Sequence, residues 1–285
     1  MGIDLHTLKL IMYASKGRPL GRVATIGRMG LHVPKEKLEQ LSLGSDYGPY
    51  CEDFLIAEFG AISVDSFDKS EYEHATHIAD LNKPLSIEPS YDTIIDGGTL
   101  EHIFNVPQAL ENVSKMCALG GQILHVLPAN NLCGHGFWQF SPDLFLSLYD
   151  KANGYDETQV FLADVSNEQE WYRVCKPQNS ERVEIVSSSS VFVLVKTKRT
   201  GAFSHEDVQQ SDYIYVWDGN ENISSGRLSN SGLAERIRRA AKRSILLPGA
   251  RAAERKWQRL LRPARSLSPA NPHLVKYKID ALLAQ

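Results

Sequence analysis

The residue types able to do chemistry fall at intervals along the first half of the chain. Gly27 and Gly30 bracket Gly27-Arg28-Met29-Gly30, where missing side chains let backbone approach a ligand closely. An ordinary strand-to-helix connection uses the same pattern. Asp65-Ser66-Phe67-Asp68-Lys69-Ser70 follows an apolar run, and a carboxylate at such a tip accepts hydrogen bonds from both hydroxyls of a ribose. Asp68 or Ser70 is equally suited to capping the next helical segment. In Ala79-Asp80-Leu81-Asn82 the carboxylate suits either an adenine amino group or a turn before Pro84. His102 and His135 are the candidate bases, since imidazole titrates near neutrality. His102 also suits the capping or packing of its own helix. His135 lies between Pro128 and Pro142, among Asn130, Asn131, Gln139, Phe137, Trp138 and Phe140. Amides and aromatic faces suit a polyhydroxylated or sugar-like acceptor, and the same aromatics suit the core of a rigid loop.

Other chemistries lack their residues. There is no Gly-x-Ser-x-Gly elbow, no Walker loop and no Gly-x-Gly-x-x-Gly. No metal is expected: His74 and His77 straddle a helix end and a strand. The four cysteines, Cys51, Cys117, Cys133 and Cys175, contain no close-spaced pair, which disfavours zinc and disulfides and suggests a reducing compartment.

The elements that must position these residues alternate. Leu5, Leu8 and Met12 share a helical face. Gly21–Gly27, Ala61–Phe67, Thr76–Asn82, Tyr91–Gly98 and Leu119–Pro128 read as strands, with helical pieces between them. A helix over Val106–Cys117 places Val106, Leu110, Val113 and Cys117 on one face. Val160–Val165 and Glu184–Arg199 close the series, the latter with Ser187–Ser190 as a turn or bulge. Continuous apolar strands alternating with helices predict a doubly wound, mostly parallel, Rossmann-like α/β sheet of seven strands with helices on both faces.

The segment Tyr91–Val106, with Leu100-Glu101-His102, followed by Gly120-Gly121 and the fifth strand, resembles class I S-adenosylmethionine-dependent methyltransferases over about residues 20–200. The resemblance implies S-adenosylmethionine as cofactor. Gly27 and Gly30 would line its methionine portion, Asp68 would hold the ribose, and Asp80 with Leu81 would meet the adenine. Asp96 and Gly97 would edge the pocket near the transferable methyl group. The first loop departs from the family: Thr25 stands where an acid is usual, and Arg28-Met29 interrupt the glycines.

The chain has 285 residues, 42% hydrophobic and 23% charged, with net charge −3. This suits one large domain (1–200), a linker (201–232) and a basic helical C-terminal extension (233–285). Between Arg227 and Arg265 twelve Lys or Arg face Glu235 and Glu254, so the remainder is strongly acidic. Neither a signal peptide nor a membrane-spanning run is evident, and the expected location is cytoplasmic. The expected function is methyl transfer to a small hydroxyl- or amine-bearing acceptor, a sugar or glycan precursor among them. The alternatives are an inactive binding module, its tail recruiting an acidic partner, nucleic acid or an anionic membrane surface, and a nucleic-acid modifier.

Overall fold

The apolar runs become strands and the amphipathic segments between them become helices. The computed structural model describes residues 2–88, 90–178, 181–205, 208–213 and 265–284. In chain order the elements are β1 (Gly2–Ile3), α1 (Leu5–Ala14), β2 (Gly21–Ile26), β3 (Gly30–Leu31), α2 (Lys35–Gln40), α3 (Glu52–Phe59), β4 (Ala61–Asp68), β5 (His77–Ile78), β6 (Tyr91–Gly97), α4 (Val106–Met116), β7 (Cys117–Asn130), α5 (Pro142–Leu148), β8 (Tyr155–Asp164), β9 (Glu170–Val174), β10 (Val191–Arg199), β11 (Leu274–Lys278) and α6 (Ile279–Ala284). Helix ends follow capping chemistry. Asp4 accepts the Thr7 N–H at 2.7 Å to start α1, Ser141 caps α5 ahead of Pro142, and Gly60 ends α3 in the left-handed region at φ 65°.

The main sheet has nine strands in the order β11-β9-β8-β10-β7-β6-β2-β4-β5. β5, β4, β2, β6 and β7 pair in parallel. From β7 onward every pairing is antiparallel, through β10, β8, β9 and β11. β1 and β3 form a separate two-stranded parallel ribbon. One face of the sheet is covered by α4 and α5 through Ala109, Leu110, Val113 and Phe145. The other is covered by α1, α3 and α6 through Leu8, Ile11, Phe54, Leu55, Ile279 and Leu282.

Two expectations are corrected here. The sheet is not seven-stranded and mostly parallel: it has nine strands, half of whose pairings are antiparallel. The extra strands are β9 and β11, which pair with each other at the sheet's far edge. The close of the chain, expected within a basic helical extension, returns to the body here. β11 completes the sheet, and α6 is tied to the turn after α1 by the bond from Lys16 Nζ to the Leu282 carbonyl, 2.8 Å. The basic helices expected between 233 and 263 lie outside the described residues. Thr76–Asn82 contributes only the two-residue β5, because the Asp80 carboxylate binds the Asn82 N–H and turns the chain away.

Candidate functional site

In an open parallel sheet the ligand crevice opens beyond the carboxyl ends of the strands, where strand order reverses. Here that point lies between β2 and β6, at Ile26-Gly27 and Asp96-Gly97. The turn leaving β6 is anchored from below. Asp96 is fully buried, its Oδ1 accepts the Thr99 N–H at 3.0 Å, and its Oδ2 lies 2.9 Å from His125 Nδ1. His125 Nε2 lies 2.7 Å from the Tyr149 hydroxyl. Burial pushes the Tyr149 phenol well above its ordinary range, so it stays protonated. The Asp96 carboxylate can only accept, so His125 Nδ1 is the donor of that pair, while the Tyr149 hydroxyl meets Nε2 as donor or acceptor. The Thr99 hydroxyl donates to the Ile26 carbonyl, folding the turn onto the end of β2.

Two hollows flank this turn. The first, about 270 Å³, is lined by Asp68, Asp80, Leu81, Thr99, His102 and Ile103, among others. Asp68 Oδ1 accepts the Ser70 N–H at 3.2 Å. Asp80 Oδ1 takes both the backbone and side-chain N–H of Asn82, which hold its carboxyl below the ordinary carboxylate range with help from Lys69 and Lys83. The second hollow, about 160 Å³, is lined by Gly97, Gly98, Glu101 and His135, with Asp4, Thr7 and His32 opposite. A larger hollow of about 340 Å³, between Tyr149, Asp150, Arg173 and Lys176, is lined by residues of the antiparallel half rather than by the tips of the parallel strands.

Glu101 is the unusual residue. It is fully buried, and neither carboxylate oxygen has a hydrogen-bond partner. Burial, assisted by Asp96, pushes its carboxyl up to about 8. His135 Nε2 lies 3.5 Å from Glu101 Oε1, and His102 Nε2 3.9 Å from the same atom. Burial and the neighbouring His135 lower the His102 imidazole. The loop bearing His135 is latched to residue 101, whose carbonyl accepts the Phe137 N–H at 2.7 Å. Gly136 permits this at φ 105°, since a Cβ there would sit 2.7 Å from the Glu101 carbonyl oxygen. Trp138 Nε1 donates to the Ile103 carbonyl at 2.9 Å.

The glycine turn is closed over. Met29 is fully buried with its methyl end against Gly97, and Gly2 pairs with Gly30. Arg28 points outward: Nε reaches Glu52 at 2.7 Å, Nη1 reaches the Glu73 carbonyl at 2.8 Å, and the guanidinium lies over the Tyr50 ring. Thr25 is buried and its hydroxyl has no partner.

Of the residues singled out from sequence, Asp68, Asp80, Leu81 and His102 meet at the first hollow, and Gly97 and His135 at the second. Asp96 lies beneath both, turned to His125 and Thr99. The linings of the two hollows include neither Gly27 nor Gly30. His125 and Tyr149 were not singled out from sequence, nor was a role for Glu101. A histidine inside an apolar strand demands a buried partner, and that was the available signal for the first pair.

Among solved structures, the N-methyltransferase NodS from Bradyrhizobium japonicum matches at 14% identity and a TM-score of 0.39, covering 69% of this chain and 95% of its own. A SAM-dependent methyltransferase from Thermotoga maritima matches at 14% and 0.39, covering 68% and 89%. The 1,6-didemethyltoxoflavin-N1-methyltransferase from Burkholderia thailandensis, solved with bound 1,6-didemethyltoxoflavin and S-adenosylhomocysteine, matches at 14% and 0.40, covering 69% and 78%. All three are methyltransferases. No family model and no curated protein matches the chain.

Proposed function

We propose that this chain is an S-adenosylmethionine-dependent methyltransferase acting on a small hydroxyl- or amine-bearing acceptor, with sugars as the favoured class. One observation carries the reading: two hollows share the turn Gly97–Ile103 as a common wall, one edged by carboxylates and the other by a buried acid beside a histidine. A transferase needs its donor and acceptor on either side of one such wall.

The first hollow fits the nucleoside part of the cofactor. Asp68 and Asp80 supply acceptors for hydroxyl and amino groups, and Leu81 and Ile103 supply apolar faces. The methionine part calls for Met29 to leave Gly97 and for the Gly2–Gly30 pairing to open. When bound, S-adenosylmethionine supplies an activated methyl group. The chain's own work is alignment, plus removal of a proton from the acceptor by His135 with Glu101 behind it, a contribution of roughly 10²–10⁴ in rate. Phe104, Phe137 and Trp138 form an exposed aromatic cluster, with Phe104 6.2 Å from each of the other two rings. Such faces stack on the apolar side of a sugar ring.

Calorimetric titration with S-adenosylhomocysteine tests this reading. Saturable heat, lost on Asp68→Ala, supports it; no heat at millimolar ligand ends it.

A second reading has its own support. Met29 and Gly2 closing the glycine turn suit a binding module without catalysis, its basic segment recruiting an acidic partner, nucleic acid or an anionic surface. Complex formation that depends on residues 227–264, with no cofactor heat, favours it. For nucleic acid, affinity insensitive to salt would exclude that partner.

A further inference from the structure

We infer that Glu101, His102 and His135 form a binding site for a divalent transition-metal ion, with zinc as the type ion, at the junction of the two hollows. The inference does not depend on methyl transfer, and with the ion bound His135 is a ligand rather than a free base.

Three observations carry it. The ligating atoms of the three side chains all lie within 4.8 Å of one another. Around a tetrahedral zinc with bonds of about 2.0–2.1 Å, neighbouring donor atoms sit about 3.3 Å apart. The separations of 3.5 Å and 3.9 Å from Glu101 Oε1 therefore close by tenths of an ångström, and the two imidazoles, whose ligating atoms lie within 4.8 Å of each other, close by at most about 1.5 Å. Both imidazoles have room to make that movement, being 56% and 46% exposed, whereas Glu101 is fixed.

Glu101 is also a carboxylate without donors. A buried carboxylate is neutralised by a proton or by a cation, and here neither oxygen accepts a hydrogen bond from another residue. The scaffold holds the three residues together before any ion arrives. Glu101 and His102 are consecutive in one short 3-10 turn, and the loop carrying His135 is tied to it by the Phe137 and Trp138 N–H groups on the Glu101 carbonyl. Two imidazoles and one carboxylate are a ligand set that suits zinc and its divalent neighbours in the first transition row, and leaves positions open for an external ligand. The second hollow, which Glu101 and His135 line, is where that ligand would come from.

The test uses the full chain without a histidine tag, stripped with a chelator and left free of cofactor. Zn²⁺ is titrated in competition with a chromogenic chelator, and Co²⁺ is followed by its visible absorption. One equivalent is expected to bind, with His135→Ala and Glu101→Gln each weakening affinity at least about tenfold while circular dichroism stays unchanged. If Glu101→Gln fails to fold, His135→Ala decides alone, because His135 is exposed. Absence of binding at millimolar metal overturns the inference. So does binding that both variants leave intact and that is lost instead on Cys133→Ser or Cys175→Ser, the two exposed thiols. A chain that binds Zn²⁺ but gives no heat with S-adenosylhomocysteine keeps the metal site and loses the methyltransferase reading.

Discussion

Asp96 Oδ2 lies 2.9 Å from His125 Nδ1, with both side chains fully buried between adjacent strands. The pair holds the floor of the crevice, because Asp96 also takes the Thr99 N–H that shapes the turn above it. Asp96→Ala should leave the buried His125 Nδ1–H and the Thr99 N–H without their acceptor and cost about 1–3 kcal/mol, the scale for an unsatisfied buried donor. Urea unfolding measures it. A loss below about 1 kcal/mol would show that the floor does not depend on this contact. Asp96→Asn, which keeps an acceptor, should cost less.

Asp68 and Asp80 stand at the other extreme, on the surface of the first hollow. Asp68→Ala should leave the unfolding midpoint nearly unchanged and weaken S-adenosylhomocysteine by about tenfold to a hundredfold, the value of a hydrogen bond to a charged group. Calorimetry reads this directly, and equal affinity in a folded variant would remove Asp68 from the site.

How much of this was legible in advance depended on where each residue's partner lay. β2, β4, β6 and β7 are continuous apolar runs and read plainly as buried strands. β9 and β11, Glu-Trp-Tyr-Arg-Val and Leu-Val-Lys-Tyr-Lys, are short and mix charge with aromatics, and they stabilise each other across about a hundred residues. No local pattern signals such a pairing. Asp68 and Asp80 stand out in sequence because polar residues follow an apolar run there, and both line the first hollow. Asp96 follows the same local rule, yet its side chain turns inward to His125, which sits in a run otherwise reading as core. Glu101 drew no role because its meaning comes from burial, and burial at a short 3-10 turn leaves no periodicity.

The closed glycine turn makes a prediction of its own. Met29 fills the space at Gly97, which the proposed function gives to the methionine chain. The wild-type chain should therefore distinguish S-adenosylhomocysteine only weakly from adenosine. Met29→Ala should widen the difference while costing about 2–5 kcal/mol of stability. A difference that shrinks in the variant would mean that the methionine chain takes another route.

Gly136 is the hinge of the latch over Glu101. Gly136→Ala places a side chain at φ 105°, 2.7 Å from the Glu101 carbonyl, with no room on the backbone side. Strain of about 1–3 kcal/mol should detach the loop. Protease cutting within residues 131–139 should accelerate, and any activity requiring His135 should fall. Unchanged cutting would show that the loop is held by other contacts.

The thiols separate by depth. Burial pushes Cys51 and Cys117 up to about 12, while Cys133 and Cys175 are exposed. Since the thiolate is the reactive form, the buried pair should resist alkylation from pH 7 to pH 10 in the native chain, and react only on unfolding. Mass spectrometry after iodoacetamide should find modification at Cys133 and Cys175 alone. Native labelling of Cys117 would place it nearer solvent than its neighbours allow.

The ribbon of Gly2–Ile3 on Gly30–Leu31 ties two events together. Drawing Gly30 away from the sheet centre strips the opening residues of their hydrogen-bonding partner, so a ligand that enters over Gly97 must also loosen the chain's first strand. Amide exchange at Ile3 and His32, whose N–H donates to the Ile3 carbonyl at 2.9 Å, thus becomes a remote reporter of occupancy in the crevice.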